Sequence, residues 1–385
     1  MKPKSVMLLT SPIILDGHRQ NIECLECSNG VIVSSCLEGI VRVWDAKTTE
    51  CINVYERESN LSQIWALCTW ECFIAVGCTN GNLEIWNIST GVNCFLYEDD
   101  SSGVTAIRYI PENRTIVVCR LNGYIEFTEL GNRLLPDFSS ASNKNGLLAN
   151  LRKKTQSNPS SWRFIKDSVS NQQFICHFNR AHGKTVSVVE ICKDLVITAS
   201  FDSLLKVFRS QNGVCLFTLR GHTTTVTALQ TQPEIGAISG SSNGEMRMWS
   251  LISGESDRFS SKHSASIVAI VFTLSCIASL DIAEMLCIWD LNTRRCLYRW
   301  SRTHFPGGCL SLTEMSRNTI VCAGRDSLAV VELTRGQVLR VVELEQKYDH
   351  VFITRVLKCE ENSVVCDYGE RLVILTFYEK EDKSS

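Results

Sequence analysis

The chain has 385 residues, with 39 Lys plus Arg against 41 Asp plus Glu, 19 Cys and only 7 Pro. A hydrophobic fraction of 44% and a charged fraction of 21% exclude a wholly disordered chain. A net charge of −2 excludes a global attraction to nucleic acid or anionic lipid.

Length alone suggests two or three domains of ~100–200 residues, unless a repeat spreads one core along the chain. At the N-terminus the apolar run VMLL is too short for the h-region of a signal peptide. The cysteine count is odd and the chain long, so a reducing, cytosolic setting is expected, with Cys as a small buried hydrophobe. The richest apolar stretch, Ile267 to Leu280, falls short of the ~18–20 residues of a membrane span.

In chain order, the predicted elements repeat. IVRVWDAKTTECINVY begins at Ile40, NLEIWNISTGVNCFLY at Asn82, YIEFTEL at Tyr124 and LLKVFRSQNGVCLFTL at Leu204. EMRMWSLISGE follows at Glu245, MLCIWDLNTRRCLYRW at Met285, LAVVELTRGQVLRVV at Leu328 and RLVILTFY at Arg371. Measured at Trp44, Trp86, Thr128, Phe208, Trp249, Trp289, Val331 and Leu375, the period is ~40–45 residues, with one doubled gap between Thr128 and Phe208. That period in strand-rich sequence predicts an all-β, WD40-type β-propeller of eight blades, seven being the alternative. The last copy supplies three strands, and the segment Ser5 to Leu15 is predicted to close the ring as its fourth.

A second marker runs in phase. His18, His182, His222, His263, His304 and His350 each precede a tryptophan position by ~25–27 residues. Glu38, Asn80, Asn122, Asp202 and Asn243 mark turns six residues before theirs, and Asn-Gly there predicts type I′ hairpins. Asp281 stands eight before Trp289 and Asp326 five before Val331, which predicts turns of altered length. A buried network of junction His, turn acid, a Ser or Thr and the Trp is expected, because buried polar atoms need partners. Its candidates are His18, Trp44, His182, Asp202, His222, Trp249, His263, Asp281 and Trp289.

From 131 to 172 the repeat stops. This polar insertion, read as lying between the third blade and its outer strand, holds eight Ser and six Asn, with a net charge of +5. It reads as a solvated loop, or as a docking or phosphorylation segment around Leu151–Thr155. The rest of 1–385 reads as one propeller domain.

Signals for chemistry are weak. Cys24 and Cys27 have C-x-x-C spacing, but in a strand they point to opposite faces, and no second pair follows. Gly240–Gly244 matches G-x-S-x-G at Ser242, yet a strand follows the turn where that chemistry needs a helix. Phosphate-binding fingerprints are missing. No enzymatic activity, metal or cofactor is expected, which leaves binding. Arg42, Arg120, Lys206, Arg209, Arg247 and Arg325 lie in or near third strands and their turns and are the candidate partner contacts, with Glu84 and Glu126 as an opposing acidic sector. Salt bridges on blade edges are the competing reading.

Three strings are more specific than the repeat: IWALCTWECFIAVGCTNGNLEIW, SSGVTAIRYI with IVVCRLNGYIEF, and AHGKTVSVVEICKDLVITASFDSLLKVFRSQNGVCLFTLRGH. With the terminal VVCDYGERLVILTFY, they resemble the cytosolic WD-repeat region of the sterol regulatory element-binding protein cleavage-activating protein family, over residues 17 to 378. The resemblance implies a propeller that holds the C-terminal regulatory domain of the membrane-bound transcription factor precursor, and so supports its ER-to-Golgi transport and proteolytic release when sterol is low. That family's sterol-sensing membrane region lies N-terminal to the propeller and has no counterpart here. The chain is therefore expected to bind the partner but neither sterol nor nucleic acid, in the cytoplasm or on the cytosolic face of ER and Golgi membranes. The alternative is a WD40 scaffold of another kind, such as a ubiquitin-ligase substrate receptor.

Overall fold

A computed structural model describes residues 5–8, 11–56, 62–97, 102–130, 162–166, 173–260, 263–273, 276–305, 308–344 and 351–380. Their strands form eight antiparallel sheets, the blades of a β-propeller, and the described helical turns are short 3-10 segments at Pro111–Asn113 and Arg302–His304. Blades 1 to 8 begin at Ile22, Ile64, Val104, Val186, Val226, Ile267, Ser311 and Val356. Within each, the first three strands pair with their neighbours in sequence order.

Blades 2–4 form one compact unit, residues 62–220, and blades 1 and 5–8 form another, residues 1–61 and 221–385. In the first unit, Leu83 and Ile85 of blade 2 pack against Val104, Ile107 and Ile116 of blade 3. Val117 and Cys119 of blade 3 pack the opposite way, against Val186, Val189 and Phe208 of blade 4. The other unit repeats this, with Trp44 and Ile32 on Val365 and Ile374, and Ile288 on Ile320 and Val331. Second strands are thus buried on both faces. Phe73–Cys78 and Thr115–Arg120 have every residue buried and are largely apolar, whereas the outer strand Cys51–Tyr55 is mostly exposed, with Tyr55 alone buried.

The turn between second and third strands has one geometry in six blades. In blade 1, Gly39 N–H donates to Cys36 C=O (2.9 Å), and Gly39 alone of the central residues has positive φ, 77°. This is a type I turn closed by a left-handed residue, so the expected I′ geometry is corrected: Asn80, Asn122 and Asn243 keep negative φ and only the following Gly turns left-handed. The close approach of the next blade adds a second demand. A Cβ on Gly244 would lie 2.3 Å from the carbonyl oxygen of His263.

Blade 6 keeps this turn length, contrary to the expectation from Asp281. Glu284 N–H closes on Asp281 C=O (3.0 Å), and Glu284 holds the left-handed place at φ 62°. Asp281 is the last residue of the second strand Cys276–Asp281, so the acid moved and the turn did not. In blade 7 the ladder closes at Ala323↔Leu328, one residue shorter than Ser35↔Val41 of blade 1.

Two further features concern the termini and the insertion. The last strand, Arg371–Lys380, pairs with two N-terminal strands rather than one: Ser5–Leu8 at its far end and Ile13–Leu15 at its start. In blade 3 the outer strand is Gln173–Arg180, and Trp162–Lys166 adds a fifth strand beside it, where no strand was expected within 131–172. The remainder of that insertion, including Leu151–Thr155, lies outside the described residues, as does His350.

Candidate functional site

The constant register sets a polar lattice. Ser34, Thr198, Ser239 and Ser279 each pair with the residue two before a tryptophan position, which puts their hydroxyls beside that position and the junction histidine. In blade 6 the chain is complete. His263 Nδ1 lies 3.0 Å from Asp281, His263 Nε2 lies 2.6 Å from Ser279 Oγ, and Trp289 Nε1 donates to the same oxygen at 2.7 Å. Proton bookkeeping assigns one arrangement: Nδ1–H donates to the carboxylate, the Ser279 hydroxyl donates to Nε2, and its lone pair accepts from the indole.

Other blades keep parts of it. His182 lies 3.0 Å from Asp202 and 2.9 Å from Thr198 Oγ1, but Phe208 has no donor to add. In blade 1, His18 Nε2 lies 2.7 Å from Ser34 Oγ, which accepts from Trp44 Nε1 at 3.0 Å. Blade 5 repeats this with His222, Ser239 and Trp249 at 2.6 and 2.7 Å. Neither has an acid: Glu38 is exposed, and Asn243 Oδ1 accepts within its own turn, so Nδ1 of His18 and of His222 lacks a hydrogen-bond partner. Blade 2 has Val76 at the serine place, and Trp86 donates to Glu84 instead (3.0 Å). His304 is exposed and bonds near itself, to Ser301 and Thr303.

Burial holds all four of these histidines neutral. It lowers His18 to about 4, with Arg42 adding to the effect, and His222 to about 4, with Glu245 opposing and Arg247 adding. His182 and His263 are also lowered by burial, against the pull of their aspartates. The sign follows from linkage. The unfolded chain takes up each proton below about pH 6.5 while the folded chain resists, so stability is lost as pH falls from there towards 4. The expected loss is about 3 kcal/mol each for His18 and His222. Urea midpoints between pH 7.5 and 4.5 should fall more steeply for the wild type than for His222→Asn; parallel slopes would refute the assignment.

The candidate partner cations divide. Arg120 is 1% exposed, pairs with Glu126, and donates to the carbonyls of Gly81 (3.0 Å) and Ser102 (2.8 Å). Arg247 is 7% exposed, bonded to Glu245 (2.8 Å) and Ser256 (3.0 Å). Both are therefore interior groups, which corrects their reading as partner contacts. Glu84 and Glu126 are buried too, so they form no acidic surface sector. Arg247 also explains a sequence signal: a Cβ on Gly221 would meet its guanidinium at 2.5 Å, so Gly precedes His222 where the arginine passes. Arg42, above Trp44 at 6.0 Å, is half-buried, as are Lys206 and Arg325, while Arg209 is exposed.

The two motif matches of the sequence sit at ordinary blade positions. Ser242 sits in the turn between the strands Gly236–Ser241 and Met246–Trp249, its N–H bonded to Thr225 C=O. Cys24 and Cys27 lie on the strand Ile22–Ser28 with thiols pushed up by burial, Cys27 to about 12. Twelve of the eighteen described free cysteines are buried. Among the described residues no cluster of three His, Cys, Asp or Glu could hold a metal, and no helix is long and apolar enough to cross a membrane.

Comparison with known proteins places this geometry. The profile of a family described as SCAP Beta-propeller matches residues 54–376, and that of the WD domain, G-beta repeat, matches residues 9–45. The sterol regulatory element-binding protein cleavage-activating protein of Xenopus laevis is 27% identical over 321 residues, 82% of this chain and 23% of that protein. The WD repeat-containing protein pop1 of Schizosaccharomyces pombe is 24% identical over 53% of this chain and 27% of its own length. The chain thus spans less than a third of either relative. The crystal structure of the computationally designed Ika8 protein superposes with a TM-score of 0.70 over 95% of this chain and 98% of that one, at 20% identity, which speaks to fold alone. With eight sheets on the WD-repeat period and a family match running from blade 2 through blade 8, the chain belongs to the SCAP β-propeller family.

Proposed function

We infer that this propeller is a single protein-binding domain that holds the C-terminal regulatory domain of a membrane-bound sterol regulatory element-binding protein precursor. In that role it supports ER-to-Golgi transport and proteolytic activation of the precursor in sterol homeostasis, from the cytosolic face of those membranes. The observation that carries the reading is the family match over residues 54–376. The scaffold fold supports it, because a propeller offers rigid turns and loops for recognition. Arg42, Lys206 and Arg209 are the proposed cationic contacts: each keeps some exposure, and no ion pair within the blades accounts for them among the described residues.

The test is a pull-down of the regulatory domain by this chain at low and at high salt. Capture that weakens with salt is expected, and charge reversal at Lys206 and Arg209 should weaken it about tenfold while flattening the salt dependence. No capture at either salt would sink the partner assignment, and unchanged affinity after charge reversal would remove those two residues from it.

A further inference from the structure

Three outer strands open with a cysteine directly opposite the tryptophan position: Cys51 on Trp44, Cys215 on Phe208 and Cys296 on Trp289. Each ladder carries a bulge at that point, and each thiol folds towards the carbonyl two residues on, at 3.5, 3.4 and 3.4 Å. The neighbour such a side chain meets is the diagonal one, two residues before the tryptophan position on the third strand. In blade 1 that neighbour is Arg42, whose Nη1 lies 3.8 Å from Cys51 Sγ. Blade 5 repeats the contact between Arg247 Nη1 and Ser256 Oγ, at 3.0 Å, with Ser256 standing opposite Trp249.

Blade 6 places a second cysteine there. Cys287 lies on the third strand Leu286–Asp290, two before Trp289, and its thiol hydrogen-bonds to that of Cys296 on the outer strand Cys296–Trp300. The Arg299 guanidinium, from the position paired with Cys287 across the ladder, bonds the same Cys296 sulfur. The two thiols differ in surroundings. Cys287 is fully buried, with its sulfur 3.9 Å from His263 Nδ1, whereas Cys296 is half-buried on the outer strand. The bond from Cys287 pulls the Cys296 thiol below its ordinary range, with Arg299 adding to the effect and burial opposing it; the same bond and burial push Cys287 up. Cys296 is therefore the nucleophile of the pair and Cys287 its donor. Cys309 and Cys322 pair as well, but both are buried.

We propose that Cys287 and Cys296 form an oxidisable dithiol site, with a hydroperoxide as substrate, Cys296 as the attacking sulfur and Cys287 as the resolving one. The Cys296 thiolate attacks a peroxide oxygen, the O–O bond breaks and hydroxide leaves, taking up the proton that the thiol gave to solvent. Sulfur is oxidised to the sulfenic acid and the peroxide is reduced to water. The Cys287 sulfur then attacks Cys296, the S–S bond forms, the S–O bond breaks and the hydroxyl departs as water with the Cys287 proton. Cys296–Trp300 is the edge strand of its sheet, so it can close the distance that the S–S bond requires. A thiol reductant reverses the step.

Cys51 and Cys215 are the control within the same molecule, since they hold the same strand position and are more exposed. If exposure alone governed, they would react first. The whole chain is treated with hydrogen peroxide, blocked with iodoacetamide and digested with trypsin, which cuts after Arg294 and Arg295 and so separates the two cysteines. Cys296 is expected to lose its free thiol about tenfold faster than Cys51 or Cys215. A Cys287–Cys296 linked peptide should appear with it and vanish on treatment with dithiothreitol. Cys287→Ser keeps a hydroxyl donor and removes the resolving sulfur, so dimedone should then trap a sulfenic acid at Cys296. Oxidation of Cys296 no faster than that of Cys51 and Cys215 would overturn the proposal, and so would the absence of the linked peptide from the oxidised wild type. Both decisive readings use the wild-type chain, so they stand even where Cys287→Ser loses stability.

Discussion

Glu126→Ala should destabilise the protein by about 3–5 kcal/mol, because it strands a charge and not merely a contact. Arg120 is 1% exposed, and its guanidinium faces the Glu126 carboxylate with both nitrogens Nε and Nη2 engaged. Two backbone carbonyls, of Gly81 and Ser102, take the Nη1 donors, but carbonyl dipoles cannot neutralise a buried cation. The double variant Arg120→Met with Glu126→Leu removes the charges together and should recover most of that loss, since burying an ion pair gains little over apolar packing. Equilibrium urea unfolding of Arg120→Met, Glu126→Leu and the double variant gives the coupling energy directly. A single variant within ~0.5 kcal/mol of wild type would mean that water reaches the site.

Ser279→Ala should cost about 2–4 kcal/mol. One hydroxyl serves both Trp289 Nε1 and His263 Nε2, so its loss leaves two buried polar atoms unmet at ~1–3 kcal/mol each, partly relieved by local relaxation. His263 and Trp289 are fully buried, which leaves no route for solvent to substitute. Ser239→Ala in blade 5 should cost less. His222 already has an unpartnered Nδ1 and is 7% exposed, so it can turn over and settle its proton differently. Equal losses at the two sites, measured by the same unfolding experiment, would show that Asp281 adds nothing to the tetrad.

Both predictions start from signals that stand in the sequence in different ways. The repeat period, the histidine phase and the serine ten residues before Trp44, Trp249 and Trp289 are spacings along one chain, and a fixed β-register turns them into contacts. The count of eight blades, the all-β class and the family were legible for that reason. Turn geometry was legible only in part. Asn-Gly was read as type I′, but five-residue connections favour a type I turn with a left-handed closing residue, and the glycine answers as much to the next blade's carbonyl as to its own φ.

Surface charge was the least legible. Arg42, Lys206 and Arg247 hold one strand position in sequence, yet only Arg247 is buried and bonded to Glu245. Arg120 looked like a turn cation and is an interior ion-pair partner. A cavity beside blade 8, lined by Asn21, Phe352, Arg355 and Asp367 among others, had no sequence signal at all: its walls come from three separate stretches of the chain.

The near-neutral composition and long chain, which excluded a global attraction to nucleic acid or anionic lipid and suggested several domains, resolve into one repeated unit. The sequence by itself determined the period, the strand pattern and the residues able to form the buried lattice, because those depend on neighbours a fixed number of positions away. Only the tertiary structure decided which cations are buried, which histidines lack an acid and where a cleft opens. Those depend on the packing of segments far apart in sequence, and burial changes the cost of a charge by more than any local preference can offset.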